Sequence, residues 1–248
     1  QTCALPISLG VVAQKSIVEQ LLVLVVISIL MTHEWHEKIS SQGLLKNLSS
    51  TTIYLAEKQL VETIVGYNLH QGIMAVGKLP FEQTLDETLR QIQQPFFIVA
   101  LDGLVNAENV GVVVRNCAAF GVNVIMAGET SSSPYLRRAV RNSMGTVFQI
   151  NVIHSNNLRE SLLHLQKNYQ TKVIAAHAHD QSTIMNADFS GNVCIVLGNE
   201  GDGISPSVLE VCTHRVAIPM MNGTDSLNVA SASAVFLYEV NKQRSSKK

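Results

Sequence analysis

The chain carries little charge and few aromatic side chains, and both shortages narrow its class. Charged residues make up 15% of the 248 residues and aromatic residues 5%, whereas hydrophobic residues account for 46%. This composition disfavours disorder and suits an α/β protein whose sheet is buried on both faces. The formal net charge of −1 provides no global basic field, so any RNA binding must rely on local patches.

Cysteine pairs and the common catalytic signatures are also missing. The four cysteines include no CxxC pair, which predicts a reducing, cytoplasmic location without disulfides or structural zinc. His33-Glu34-Trp35-His36-Glu37 fails the HExxH spacing, and His177-Ala178-His179-Asp180 is better explained as loop polarity, so no metal is expected. The absence of GxGxxG, P-loop and GxSxG motifs argues against a nucleotide-binding oxidoreductase and a hydrolase.

The N-terminal apolar run is too short to cross a membrane. Leu21–Leu30 covers about half of a transmembrane span. Glu19 and Gln20 stand where a signal peptide needs basic residues. Gln1–Ile7 resembles translated adapter sequence, so residues 1–30 are taken as an uncertain segment without functional weight. No membrane association is expected.

The remaining pattern predicts two α/β units joined by a linker. Residues 31–80 form the smaller unit, 81–94 the linker and 95–243 the larger unit. The elements expected in the smaller unit are the strands Thr52–Leu55 and Gly72–Val76 and the helix Glu57–Val65. In the larger unit, apolar runs alternate with helical patterns, which predicts a parallel sheet of βαβ units.

The expected elements of the larger unit can be read from hydrophobic periodicity. Its strands are Phe96–Leu101, Asn123–Met126, Phe148–Val152, Val173–Ala176, Val193–Leu197 and Arg215–Ile218. Its helices are Asn109–Ala119, Pro134–Asn142, Asn157–Asn168, Pro206–Glu210 and Leu227–Asn241.

Ligands bind open parallel sheets beyond the carboxyl ends of the strands, and the first such end here is polar. In Asn106–Gly111, Asn109 is expected to cap the next helix, and Gly111 to let a ligand approach the backbone. Arg115 follows on an otherwise apolar helix, where a buried cation is expected to be paired or used. The alternative is a side chain that reaches solvent from the helix edge.

Two further strand ends are rich in glycine or polar residues. Gly198–Gly203 forms a backbone-rich turn that can cradle a polar small molecule, although an ordinary glycine turn is the alternative. Ile218–Asn228 runs from a strand through an irregular loop into a helix. Asp225 or Ser226 is expected to cap that helix, which leaves Asn228 to point toward a ligand.

Two clusters of basic residues are candidates for contact with RNA. One consists of Arg137, Arg138 and Arg141, at helical spacing. The other lies in the C-terminal tail and consists of Lys242, Arg244, Lys247 and Lys248. Solvated surface residues without a ligand are the alternative for both clusters.

Taken together, the three polar stretches resemble the motifs of the SpoU (TrmH-like) branch of the SPOUT methyltransferases. They read NAENVGVVVRNCAAFGV, VCIVLGNEGDGIS and VAIPMMNGTDSLNVASASAVFLYE. Arg141–Gly145 resembles the family's stretch of small residues, whereas Asn106-Ala107 departs from the usual Asp-Pro. Upstream, Leu69–Ala75 resembles the end of the L30e-like substrate-binding domain that many family members carry.

This resemblance implies a small L30e-like α/β domain followed by a parallel-sheet α/β knot. The knot is a deep C-terminal trefoil, an exception to the rule that protein chains are not knotted. The resemblance also implies a homodimer and the cofactor S-adenosyl-L-methionine (AdoMet). The implied cofactor-binding residues are Gly198, Ile218 and Leu227. The implied catalytic residues are Arg115, Asn109, Glu200, Ser226 and Asn228.

The reaction implied by the resemblance is methyl transfer to a ribose 2′-hydroxyl of RNA. A guanosine of large-subunit (23S) rRNA is favoured over tRNA, and a catalytically silent RNA-binding protein of the same fold is the alternative. A ribose hydroxyl is a very weak acid, so the forming alkoxide needs stabilisation. Because arginine stays protonated, Arg115 is preferred as a stabilising cation rather than a base.

Overall fold

The chain forms two β-sheets flanked by helices. The computed structural model describes residues 2–5, 26–43, 45–46, 51–65, 72–178, 180 and 182–245. Within these ranges the strands assemble into one four-stranded and one six-stranded sheet. None of the helices described there combines the length and the apolar character needed to span a bilayer.

The smaller sheet has the order β1-β4-β2-β3. Its strands are β1 (Thr2–Leu5), β2 (Val26–Met31), β3 (Thr52–Leu55) and β4 (Ile73–Lys78), accompanied by helices α1 (His33–Ser41) and α2 (Lys58–Val65). β2 pairs in parallel with β3 and antiparallel with β4. Ile29 and Met31 are completely buried, so β2, which begins within residues 1–30, supplies core to this sheet. Residues 6–25 and Leu69–Gln71 lie outside the described residues.

The larger sheet is parallel throughout and has the order β10-β8-β9-β5-β6-β7, which confirms the predicted sheet of βαβ units. Its strands are β5 (Phe97–Leu101), β6 (Val124–Ala127), β7 (Asn151–His154), β8 (Lys172–Ala176), β9 (Val193–Leu197) and β10 (His214–Val216). The two central strands β5 and β9 are buried at every residue, as expected for a sheet covered on both faces. The expected trefoil knot is not tested by strand order and stays a prediction.

Six of the described helices accompany the larger sheet. They are α3 (Leu85–Arg90), α4 (Ala107–Ala119), α5 (Arg137–Asn142), α6 (Leu158–Tyr169), α7 (Pro206–Val211) and α8 (Val229–Ser245). The predicted strand Phe148–Val152 is wrong in its first half, because Thr146–Gln149 is a 3₁₀-helical turn. Gly145, at φ 78°, starts that turn. Phe148 is therefore buried as part of a helical turn and not as part of a strand.

The segment predicted as a linker contains α3, and this helix packs against the larger sheet's helical layer. Leu89 is 4% exposed and belongs to the same apolar cluster as Leu158. Asp86 accepts hydrogen bonds from His164 Nε2 and from the Tyr169 hydroxyl, both at 2.7 Å. These bonds hold the pKa of Asp86 below its ordinary value. Residues 85–90 are therefore attached to the larger unit rather than free in solvent.

Candidate active site

A cleft of about 340 Å³ lies beyond the carboxyl ends of β8, β9 and β10, a volume within the range of small-molecule sites. Three residues predicted to bind the cofactor, Gly198, Ile218 and Leu227, line this cleft. Two residues predicted to be catalytic, Glu200 and Ser226, also line it. The rest of the wall is mixed, and its apolar part includes Ala176, Leu197, Val229, Ala232 and Phe236.

The turn after β9 is held by Asn199, which the sequence analysis did not single out. The main chains of Asn199 and Gly203 exchange two hydrogen bonds, of 2.8 and 3.0 Å. The Asn199 side chain accepts from the N–H groups of Gly201 and Asp202 and donates to Gly103 O at 2.7 Å. A single asparagine thus ties this turn to the loop after β5. Its position among glycines was the available signal, since asparagine readily bonds to the backbone two residues on.

Gly198 is required by close contact between two stretches of backbone. A Cβ atom at this position would lie 2.4 Å from the carbonyl carbon of Gly203 and 2.5 Å from Ile204 N. Any side chain at Gly198 would therefore push the turn apart before it filled the cleft.

Asn106, not Asn109, caps α4. The Asn106 side chain accepts from the N–H groups of Glu108, at 2.8 Å, and Asn109, at 3.3 Å. The prediction was wrong because two asparagines three residues apart are equally good caps by composition. Placing the cap at Asn106 puts Asn109 inside the first turn and frees its side chain for other contacts.

Three of the predicted catalytic residues are linked through hydrogen bonds. Asn109 Nδ2 donates to Glu200 Oε1, and Asn228 Nδ2 donates to Asn109 Oδ1 at 3.4 Å. The Asn228 Oδ1 atom accepts from Ala230 N at 2.9 Å, so Asn228 caps α8. The expectation that Asp225 or Ser226 caps this helix was wrong. Capping fixes Asn228 in a position where its amide nitrogen faces Asn109.

Gly111 serves helix packing rather than ligand approach. A Cβ atom there would lie 2.4 Å from the carbonyl oxygen of Ala139 and 2.7 Å from the Asn142 side chain. The glycine therefore lets α5 lie directly on α4, and the expected opening for a ligand is filled by this neighbouring helix.

Arg115 is exposed and does not line the cleft. The buried residues of α4 are Val110, Gly111, Val113, Val114 and Cys117. Among the described residues, none makes a hydrogen bond or salt bridge with the Arg115 guanidinium that would hold it in place. The expectation of a buried cation was wrong, because helical periodicity turns residue 115 away from the core. Its catalytic role stays a prediction.

The two basic clusters differ in how much of each is accessible. Arg137, Arg138 and Arg141 are all exposed on α5. In the tail, Arg244 donates to the carbonyl oxygens of Pro95, Phe96 and Gly191, so it is a structural residue and not a candidate for RNA contact. Lys247 and Lys248 lie outside the described residues.

The described cysteines are poor nucleophiles. Burial raises the pKa of the Cys117 and Cys194 thiols far above the ordinary range, and it raises the pKa of Cys212 to about 11. None of these thiols carries charge at neutral pH, so the geometry does not favour covalent chemistry through any of them.

Comparisons with known proteins identify the family of the chain. Residues 96–238, more than half of the chain, match the family model described as the SpoU rRNA Methylase family. A 23S rRNA (guanosine-2'-O-)-methyltransferase RlmB from Acinetobacter baylyi is 30% identical over 78% of this chain and 79% of its own length. The RlmB protein of Photorhabdus laumondii is 31% identical over 79% of this chain and 80% of its own.

Solved structures share the fold. The SpoU methyltransferase AviRb from Streptomyces viridochromogenes, in complex with the cofactor AdoMet, superposes with a TM-score of 0.80. The match covers 99% of this chain and 91% of AviRb at 21% identity. An rRNA methyltransferase from Sinorhizobium meliloti superposes with a TM-score of 0.78 at 22% identity over 98% of this chain and 87% of its own. The family match over the larger sheet and the curated relatives together establish that the chain belongs to the SpoU rRNA methylase family.

Proposed function

We propose that the chain is an AdoMet-dependent RNA methyltransferase that modifies the ribose 2′-hydroxyl of a guanosine in 23S rRNA. The guanosine and the rRNA come from the activity after which the RlmB relatives are named, and this chain covers about four fifths of their length. A cytoplasmic location is proposed with this substrate. The observation that carries the proposal is the cleft at the carboxyl edge, where Glu200 is bonded to Asn109 and Asn109 to Asn228.

The cleft fits the proposed cofactor in its chemistry. Ile218, Leu227 and Phe236 give an apolar wall that suits an adenine ring, and the turn at Gly198–Gly203 places polar main chain beside it. His177 lines the same cleft, and its Nδ1 atom is buried and has no hydrogen-bond partner among the residues that the structure describes. A buried polar atom without a partner is costly unless a ligand pairs with it. These residues are the ones expected to hold AdoMet.

When bound, AdoMet supplies a methyl group already activated on a sulfonium. The chain's residues must then align the ribose and accept or share the proton of its hydroxyl. Asn109 donates to Glu200 Oε1 and so orients the carboxylate, whose Oε2 accepts no hydrogen bond from the described residues and can accept one from the ribose hydroxyl. Ser226, which lines the cleft, and Asn228, bonded to Asn109, complete a polar rim that positions the nucleotide.

The homodimer is proposed together with the role of Arg115. Asn116 on α4 donates to Ala230 O and Ser233 Oγ on α8, both at 2.9 Å, so the two helices form one surface. On α8, Val235 is 38% exposed and Tyr238 59%, an apolar exposure suited to a subunit interface. Arg115 is exposed beside the surface formed by α4 and α8. Its side chain can therefore act on a ribose only if a second subunit or the RNA itself covers α4.

The small domain is proposed to recruit RNA, as the resemblance to the L30e-like domain implies. Because α3 packs on the larger unit, a chain truncated before Leu79 keeps this helix. Such a chain should bind S-adenosylhomocysteine as tightly as the full chain and lose most of its RNA affinity. Equal methylation rates for both chains at low RNA concentration would contradict recruitment.

The decisive experiment maps ribose methylation in cells with and without the gene. We expect one 23S rRNA guanosine to lose its 2′-O-methyl group, and the purified protein with AdoMet to restore it on unmodified rRNA. Loss of a tRNA methyl group instead would replace the substrate. Unchanged methylation in both RNAs, with no transfer in vitro, would support the catalytically silent alternative.

A further inference from the structure

A second cavity, of about 550 Å³, lies beside β7, the edge strand three positions from β9, and none of its lining residues belongs to the three motifs. Its walls come from the segment before α3, from the loop between β6 and α5, and from β7. The residues that line it are Leu79, Pro80, Phe81, Glu82, Ser133, Tyr135, Val152 and His154.

A continuous hydrogen-bond chain crosses this cavity. Glu82 Oε1 accepts from His154 N at 2.7 Å and from His154 Nδ1 at 2.9 Å. With Nδ1 donating, His154 Nε2 is the acceptor for the Ser133 hydroxyl at 3.0 Å. The order serine, histidine, carboxylate matches that of a hydrolase triad.

The surrounding main chain argues against hydrolysis. The N–H groups of Ser131, Ser132 and Leu136 donate to carbonyl oxygens at 2.9, 2.9 and 3.0 Å. The N–H group of Tyr135 donates to Ser133 Oγ at 3.3 Å, and Pro134 has none. A hydrolase needs at least a pair of donors for its oxyanion, and this loop has already used nearly all of its own.

The aromatic lining points instead to a flat, unsaturated ligand. Phe81 is 91% exposed, although it lines this cavity. Tyr135 is fixed by stacking on Phe148, with ring centroids 6.2 Å apart, and by His154 at 6.1 Å. Burial raises the pKa of Tyr135 to about 12, so its phenol stays neutral. An exposed phenylalanine next to rigid rings is the arrangement on which proteins stack unpaired nucleobases.

We propose that this cavity binds an unstacked guanine of single-stranded RNA, with Phe81 stacking on the base and Glu82 pairing with its N–H edge. The inference rests on RNA being the substrate. Glu82 offers a carboxylate whose Oε2 accepts no hydrogen bond from the described residues. The adjacent N1–H and N2–H groups of guanine can both donate to this one oxygen, whereas the single N3–H of uracil lies between two carbonyl oxygens, which a carboxylate repels.

The location suits a nucleotide that flanks the target. His154 ends β7, so the cavity opens at the same carboxyl edge as the cleft. Between β9 and β7 lie three strand spacings, each of roughly 4.8 Å, so one RNA segment lying across this edge can reach both. The exposed arginines of α5, Arg137, Arg138 and Arg141, follow directly after the Tyr135 wall and supply positive charge for phosphates.

The test measures binding of the full chain to short fluorescein-labelled oligouridylates, with and without one central guanosine, by fluorescence anisotropy. Wild type should prefer the oligonucleotide that contains guanosine. Phe81→Ala should weaken its binding about tenfold through lost stacking, whereas Phe81→Trp should retain it. Met185→Ala removes a side chain that is 70% exposed and lines neither cavity, so it should change nothing.

Glu82→Gln should abolish the preference for guanosine while leaving binding to plain oligouridylate intact. Unchanged affinity in Phe81→Ala, or an unchanged guanosine preference in Glu82→Gln, overturns the cavity assignment. Methylation of 23S rRNA by wild type is measured in parallel. If wild type methylates 23S rRNA but the variants do not change binding, only the cavity assignment is overturned. If the variants change binding but wild type does not methylate 23S rRNA, only the proposed function is overturned.

Discussion

The two ends of the six-stranded sheet both carry polar side chains, yet the partners of those side chains differ. At the amino end the partners are main-chain groups. Phe97 N donates to Asn123 Oδ1 at 2.7 Å, and Phe96 N donates to Asn192 Oδ1 at 3.1 Å. Arg244 adds bonds to carbonyl oxygens just before β5 and β9. The polar side chains at this end therefore stabilise the fold by bonding to the main chain.

At the carboxyl end, Asn199 also bonds to main chain, but three other side chains bond to one another and are exposed or half-buried. Glu200, Asn109 and Asn228 form such a chain at the rim of the cleft. A carboxylate and two amides have more donors and acceptors than this chain consumes. The comparison indicates that the amino end contributes stability and the carboxyl end keeps hydrogen-bonding capacity for ligands. Variants at the two ends should therefore affect different measurements.

The largest effect is expected from Arg115→Ala, at the carboxyl end. If Arg115 stabilises charge that develops in the transition state, single-turnover methyl transfer at saturating RNA and AdoMet should fall about a hundredfold or more. S-adenosylhomocysteine affinity and thermal stability should not change, because the side chain is exposed. Arg115→Lys should recover only a small part of the rate, since it lacks the planar fork.

Arg138→Ala is the matched control, an exposed arginine on the neighbouring helix α5. It should leave the saturated single-turnover rate intact. Near-wild-type transfer by Arg115→Ala would remove Arg115 from the chemistry and assign it to the surface.

Gly198→Ala should weaken S-adenosylhomocysteine binding by roughly ten- to a hundredfold, because the added atom overlaps the backbone of Gly203 and forces the turn to move. Gly201→Ala is the control, since its new atom would meet only Asn199 Oδ1, at 3.5 Å. Calorimetric titration of both variants measures the difference. Equal affinities for the two would show that the turn after β9 does not shape the binding site.

At the amino end, Arg244→Met should lower the free energy of unfolding by about 3 kcal/mol, through loss of charged hydrogen bonds to three carbonyl groups. Ligand affinity in the folded variant should be unchanged. Lys242→Met, at an exposed position on the same helix, should have almost no effect on unfolding by urea. If Arg244→Met lowered cofactor affinity without lowering stability, the amino end would contribute to ligand binding and not to stability, contrary to the comparison above.

The smallest effect is expected from Asp188→Asn. Lys172, at the start of β8, and Ser190 donate hydrogen bonds to Asp188 and hold the pKa of this carboxyl well below its ordinary range. A depressed pKa adds stability above the ordinary value, and this contribution disappears as pH falls toward the lowered pKa. The variant should be less stable than wild type at pH 7 by under about 1 kcal/mol.

Urea unfolding across an acid series gives the measurement for Asp188. The gap between wild type and Asp188→Asn should narrow steadily as the pH is lowered below about 4. A gap that stays constant down to the acid limit would mean that the ion pair with Lys172 is not its source.

Sequence patterns predicted the sheet better than the site. A fully apolar run followed by a glycine-rich turn, such as Val193–Leu197, predicts a buried strand, and the structure confirms that strand at the same residues. Helix starts were harder, because Asn106 and Asn109 are chemically equal as caps and only tertiary contact with Glu200 separates them. The burial of Arg115 was misjudged from the composition of its helix, whereas orientation decides burial.

Some groupings leave no local signal at all. Glu82 and His154 are 72 residues apart, and nothing in either stretch indicates that they meet. Their contact depends on how the segment before α3 lies against β7. Asn199 was overlooked for another reason. It lies inside a motif for which the prediction considered the glycines and the acidic residue but not the amide that holds the turn.

The ties between Arg244 and the start of β5 have a consequence for biosynthesis. Arg244 and Pro95 are separated by 149 residues, and β5 pairs with β9 across nearly a hundred. In a nascent chain emerging from the ribosome, β5 can pair with β6 early, but its other edge stays unpaired until β9 has been translated, and its start lacks Arg244 until α8 is complete. Such long-range pairing folds slowly and leaves strand edges exposed to neighbours. Chaperone association with translating ribosomes should accordingly peak before the codons of α8 are read.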